Sequence, residues 1–186
     1  MRKTNFVGRV VILMALMFLL APALSASANT PQENPRLVKQ IRHELATLPY
    51  YGVFDWLEFE MKPDNTVVLR GYVTRPTTKS DAEARVKDIE GVKGVINEIQ
   101  VLPVSPNDDR LRIALYRQLY NWDSPLFRYA TQAIPSIHII VDSGRAILKG
   151  VVNSKADAQL AYMRARSVPG LFDVKNELVV EGEGPR

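Results

Sequence analysis

The stretch 64–101, DNTVVLRGYVTRPTTKSDAEARVKDIEGVKGVINEIQV, returns as residues 143–180, SGRAILKGVVNSKADAQLAYMRARSVPGLFDVKNELVV, at a constant offset of 79 with no gap. Leu69, Gly71, Val73, Ala82, Arg85, Gly91, Val95, Asn97, Glu98 and Val101 recur as Leu148, Gly150, Val152, Ala161, Arg164, Gly170, Val174, Asn176, Glu177 and Val180. A self-match at a fixed period means that one structural unit is built twice. A chain of 186 residues has room for one medium domain or two small ones, and the repeat favours two of about 70 residues, so everything else is interpreted per copy.

The first 28 residues are of a different kind. Arg2, Lys3 and Arg9 form a basic start, residues 10–21 are an apolar run, and Ala26-Ser27-Ala28 is a small-residue cleavage site. This predicts a secretory signal peptide over residues 1–28, with an apolar core too short to span a bilayer. Losing those three cations takes the net charge from +4 to +1, so the basic pI gives no support to nucleic-acid binding. The chain has no cysteine. That excludes disulfides, a thiol nucleophile and an acylated cysteine, so the expectation is a periplasmic protein that is not a lipoprotein.

Within the first copy, residues 29–35 read as a polar lead-in. From Arg36 the apolar residues Leu37, Ile41, Leu45 and Leu48 recur at helical spacing. Alternation over residues 56–61 and 66–73 around a Lys-Pro-Asp-Asn turn predicts a hairpin. A helix over residues 76–90 buries Ala82, Val86 and Ile89, Gly91 is its left-handed C-cap, and residues 95–102 form a third strand. In the second copy the expected elements are a helix over residues 109–120 burying Leu111, Leu115 and Leu119, strands at 137–141 and 145–152, a helix over 154–168 and a strand over 174–180. The helical leucines match the first copy at an offset of 74, which places five extra residues in the connection 121–136. The expected organisation is a first domain at residues 35–102, a Pro-containing linker at 103–107 and a second domain at 108–181. The fold class is α+β, an α/β sandwich. It comprises two tandem αββαβ units, each a three-stranded mixed sheet covered on one face by two helices.

Three finer expectations follow. Gly71 and Gly150 interrupt the inward face of the second strand of each copy, which suggests a close helix crossing rather than a bulge. The offset of 79 aligns His138 with Phe59 and would point it into the core, whereas local alternation points Ile137 and Ile139 inward. The local pattern is the stronger constraint, so the two hairpins should differ by one residue. Finally, Val68, Arg70 and Tyr72, like Ile147, Lys149 and Val151, lie on the face away from the helices and are too apolar for free solvation. Those faces should be partly covered by the other unit, a neighbouring segment or another molecule.

The strand Leu69-Arg70-Gly71-Tyr72-Val73 with the ending 91–101 (GVKGVINEIQV), and Leu148-Lys149-Gly150-Val151-Val152 with the ending 170–180 (GLFDVKNELVV), resemble the BON family. That family is known from osmotically induced periplasmic proteins and nodulation-associated proteins of bacteria. The resemblance covers nearly all of the chain after residue 28, twice. It implies the tandem sandwich fold, an envelope location and a role in contacting phospholipid or other envelope components. The acylated cysteine of the family's lipoprotein members has no counterpart here.

Signals for catalysis are thin. His43 and His138 stand in different units with no metal-ligand spacing, and Glu58 with Glu60 reads as one solvated strand face. No catalytic residue, cofactor or metal is expected. Gly91-Val92-Lys93-Gly94 matches the loop of a nucleic-acid clamp, but here it joins a helix to a strand, so no nucleic-acid partner is expected. Gly71, Gly91, Asn97, Gly150, Gly170 and Asn176 are read as structural, with both asparagine amides bonding nearby backbone. The functional candidate is residues 116–129, where Tyr116, Tyr120, Trp122, Phe127 and Tyr129 gather with Arg117 and Arg128 at the insertion. Such a cluster suits a phospholipid surface or an envelope protein, or else it roofs the second core. Two functions stay open: an envelope-maintenance module contacting phospholipid, or a periplasmic protein-binding or chaperone-like module.

Overall fold

The structure is a computed structural model that describes residues 34–182; the signal-peptide segment lies outside the described residues. Proline, a short polar cap or both start each described α-helix. Asn34 accepts from the Arg36 N–H at the head of α1 (Pro35–Ala46), and Ser105 accepts from the Asp108 N–H at the head of α3 (Pro106–Leu119). Proline also opens α2 (Pro76–Lys87), and Ser154 caps α4 (Lys155–Arg166). Helix α3 therefore begins at Pro106, ahead of the expected Asp109, because Pro106 suits the first helical position and Ser105 the cap. The tail of the expected linker thus belongs to α3.

The first sheet comprises β1 (Trp56–Met61), β2 (Thr66–Val73) and a parallel third lane made of β3 (Gly94–Asn97) and β4 (Gln100–Val101). The second comprises β5 (Ile137–Asp142), β6 (Arg145–Val152) and β7 (Asp173–Val180). The third lane of the first sheet is interrupted where one strand was expected. Its register is unbroken, however: Leu69 faces Asn97, Tyr72 faces Gln100, and Glu98 donates to the Leu69 carbonyl between them. In each sheet the middle strand pairs antiparallel with the first and parallel with the last, as the hairpin and the right-handed crossover require.

The one-residue difference between the hairpins is present. Phe59 pairs with Leu69, while Ile139 pairs with Leu148. The slack is taken up in the turns. Asn65 adopts φ 64° in the longer first turn, whereas Ser143 and Gly144, at φ 51° and 75°, make a two-residue turn. His138 consequently points away from its own helices.

Both helices of each unit lie on one sheet face. Leu37, Ile41, Leu45, Ala82 and Val86 meet Val67, Leu69 and Val73 in the first core. Leu111, Leu115, Leu119, Ala161 and Ala165 meet Ile137, Ile139, Ala146, Leu148 and Val152 in the second. Asn97 and Asn176 pin the last strand to the helix in the same way. Each donates to a helix carbonyl, of Lys79 or Ala158, and accepts from the N–H two residues on.

The close helix crossing expected at Gly71 and Gly150 is not what the structure shows. A Cβ at either position would come within 1.9 Å of a carbonyl of the neighbouring strand, Trp56 O or Ser136 O, and the glycines adopt φ +126° and +123°. The backbone of the adjacent strand, together with a left-handed conformation, is what requires glycine there.

The two copies belong to one compact body, and part of their contact is made by the faces turned away from the helices. Val68, on the outer face of β2, is 1% exposed although it belongs to neither core, and Ile140 on the outer face of β5 is likewise buried. Lys149 reaches across from the second sheet to Glu58 of the first (3.9 Å) and lies over the Trp56 ring, which in turn packs edge-on against His138. The outer faces are therefore partly covered. Ile147 is half-buried, and Val151 and Val179, which pair across β6 and β7, stay exposed.

Candidate functional site

The aromatic stretch divides into two groups by direction. The residues following α3 turn back over the second core through a short 3₁₀ segment, Pro125–Ala130, started by Ser124. Tyr120 and Tyr129 are buried with Leu126. The Tyr120 hydroxyl donates to the Ile137 carbonyl at 2.6 Å, and burial pushes its pKa up. The Tyr129 hydroxyl donates to Asp157 and accepts from the Asn153 N–H. These two tyrosines roof the core and are not offered to a partner.

Trp122 and Phe127 face the other way. Trp122 is 82% exposed and stacks on Phe127 at 4.3 Å. Arg128, next in sequence, is half-exposed, pairs with Asp157 and lies over the Tyr129 ring. Arg117 is exposed on α3. The insertion thus anchors itself by tyrosines and Leu126 while presenting an aromatic pair with a guanidinium beside it. Tyr116 serves neither end: it packs edge-on against Phe54 of the first unit and against Tyr120.

That contact leads to a feature the sequence reading missed. The loop between α1 and β1 leaves its own unit and lies along the edge of β5. Val53 and Phe54 pack against the second core, and the Ile139 N–H donates to the Val53 carbonyl at 2.8 Å. Asp55 holds the loop in shape, accepting from the Gly52 N–H and from the Thr74 N–H and hydroxyl. His138 Nδ1 donates to the Asp55 carbonyl, and burial lowers the His138 pKa, favouring the neutral ring. Tyr51 lies beside the His138 ring, and burial raises its pKa to about 12. A histidine inside the apolar run of β5 was the visible signal; its carbonyl partner, far away in sequence, was not.

Chemically the arrangement is one of surfaces. Among the described residues no group of histidine and acidic side chains is placed to hold a metal ion. Glu58 and Glu60 are tied up instead, Glu58 by the Trp56 indole N–H and Glu60 by Arg70. No described helix is long and apolar enough to cross a membrane.

Two αββαβ units with this register and repeated motif define a tandem module of the BON class. The family model for the BON domain matches residues 40–103 and again 124–182, and the chain belongs to that family. Two solved structures are similar to it. One is of CdsD, a structural protein of the type III secretion system of Chlamydia trachomatis, at 15% identity over 78% of this chain and 92% of that one. The other is its C-terminal domain, at 14% identity over 77% and 96%; the TM-score is 0.30 for both. No curated protein matches.

Proposed function

We propose that this is an exported, non-catalytic module of the cell envelope whose second unit contacts an anionic phospholipid surface through Trp122 and Phe127, with Arg128 and Arg117 supplying charge. The observation that carries this is Trp122, 82% exposed and stacked on the half-buried Phe127. An exposed indole backed by a half-buried phenyl ring at the tip of an otherwise anchored insertion suits the headgroup region, where an indole has apolar and polar neighbours at once. A basic residue near an anionic leaflet adds about 1 kcal/mol, screened by salt. No described helix is long and apolar enough to cross a membrane, which is compatible with peripheral contact.

The test is co-sedimentation with vesicles of anionic or neutral phospholipid at low and high salt. Binding to anionic vesicles that weakens with salt and is lost in Trp122→Ala and Arg128→Gln is expected. Absence of binding to either vesicle overturns the proposal.

A further inference from the structure

The loop of the first unit completes the second unit, whereas among the described residues only Tyr51 of that loop reaches the edge of the first unit's own sheet, at the Leu57 backbone. By sheet register Leu57, Phe59 and Met61 of β1 correspond to Ile137, Ile139 and Val141 of β5. In the second unit all three edge positions are satisfied from outside the sheet. The Ile137 carbonyl accepts from Tyr120, the Ile139 N–H donates to Val53, and the Val141 carbonyl accepts from Arg112 at 2.7 Å. At the helix positions that supply two of these donors, the first unit has Ala46 for Tyr120 and Val38 for Arg112. Neither side chain can donate. Among the described residues nothing outside the sheet bonds the edge of Phe59 or Met61, so the edge of β1 is open there.

Between that edge and α1 lies a groove of about 380 Å³ lined by Arg42, Tyr51, Leu57, Glu58, Phe59 and Met61, among others. It is the counterpart of the space that Val53 and Phe54 fill in the second unit. Two lining positions differ in charge from their counterparts, and one of them is Glu58, which stands where His138 stands and is held by the Trp56 indole N–H and Lys149. The other is Arg42, which stands where Tyr116 stands, and Tyr116 is what Phe54 touches. Arg42 is exposed and, among the described residues, has no acidic partner.

We propose that this groove binds an extended, acidic peptide segment of a partner protein. The segment adds along β1 as a further strand. Its backbone carbonyl accepts from the Phe59 N–H, an apolar side chain sits at that position, and an acidic side chain next to it faces Arg42. The mode is strand addition, in which main-chain bonds give affinity and alternate side chains give selectivity. The docked loop inside this same molecule shows what such a groove accepts, and Arg42, a lining cation with no acidic partner among the described residues, favours an acidic side chain beside it. The site is independent of Trp122 and of the lipid surface.

The probe is a synthetic peptide copying residues 50–57 with Phe54→Glu, beside one with the unchanged sequence and one with Phe54→Lys. Binding is followed on the purified protein by backbone amide shifts. The Glu peptide is expected to move the Phe59 amide while leaving Ile139 in place, and to bind about tenfold more tightly than the Lys peptide. In Arg42→Glu, an exposed change that leaves the core intact, the order should reverse. Three results overturn the proposal. These are an unmoved Phe59 amide, equal affinity for the Glu and Lys peptides, and Phe59 shifts that grow with protein concentration alone, which would make a second copy the occupant.

Discussion

Strands β1 and β5 are the same element of the same unit, built twice, and they live in different surroundings. Every residue of β5 from Ile137 to Val141 is buried, whereas β1 alternates between half-buried and exposed. The helix faces around them match, so the difference comes from two sources. On the outer face His138 and Ile140 are covered while Glu58 and Glu60 are exposed, and along the edge Ile137, Ile139 and Val141 are buried while Leu57, Phe59 and Met61 are half-buried. Tyr120, Arg112 and residues 53–55 seal β5, whereas along β1 Tyr51 reaches Leu57 and no described residue outside the sheet bonds Phe59 or Met61. A repeated sequence therefore fixes the frame of each unit, while a few helix positions and one loop decide whether its edge is structure or surface.

The comparison can be broken most forcefully where the two copies agree. Gly71→Ala and Gly150→Ala each place a Cβ against a strand carbonyl in a left-handed conformation, and each should cost about 3 kcal/mol in denaturant unfolding. If either variant unfolds like the parent, the backbone account of those glycines is wrong.

Where the copies differ, Phe54→Ala should empty the second groove and cost about 2 kcal/mol, less than a fully buried ring because Phe54 is only half-buried. Hydrogen exchange gives a sharper view. The Ile139 amide should lose protection in this variant, while the Phe59 amide should exchange quickly in the parent already.

A pH titration probes the same contact from the histidine side. Because burial lowers the folded-state pKa of His138, the unfolded chain takes up its proton first. Stability should thus be full above about pH 6.5 and fall as the pH drops from there towards the folded-state value. His138→Gln should flatten that segment of the melting-temperature profile. An unchanged profile would show that His138 carries no linkage. Smallest of all should be the ion pairs. Lys149→Met, removing a mostly covered cation from Glu177 and Glu58, should cost about 1 kcal/mol, and Arg70→Met, more exposed on its face, under about 0.5 kcal/mol.

Most of the frame was legible because it rests on short-range periodicity. The alternation of Ile137 and Ile139 outweighed the fixed repeat offset and gave the right hairpin register, since one residue of slip would have turned His138 into the core. Leu37, Ile41 and Leu45, and Leu111, Leu115 and Leu119, gave the helix faces for the same reason. The glycines were misjudged because a sequence shows that a side chain is missing, not what occupies its place. The aromatic stretch was legible as a cluster, but its division into roof and outward stack depends on the path of the 3₁₀ segment. The docking of Val53 and Phe54 left no periodic trace at all. It is a contact between a loop and a strand some 85 positions away, and only the burial of an entire edge strand gives it away.

The connection between the units, residues 102–105, has a consequence for how strong their seam needs to be. So short a tether holds the loop near the β5 edge at an effective concentration on the order of millimolar. A handful of contacts around Ile139, His138 and Lys149 is then enough to keep the groove filled, although the same contacts between separate molecules would be mostly dissociated at micromolar concentration. Cutting the chain at Val104, which is almost wholly exposed, should therefore release the seam on dilution without unfolding either core. The second unit would then present at Ile139 the same open edge that the first presents at Phe59.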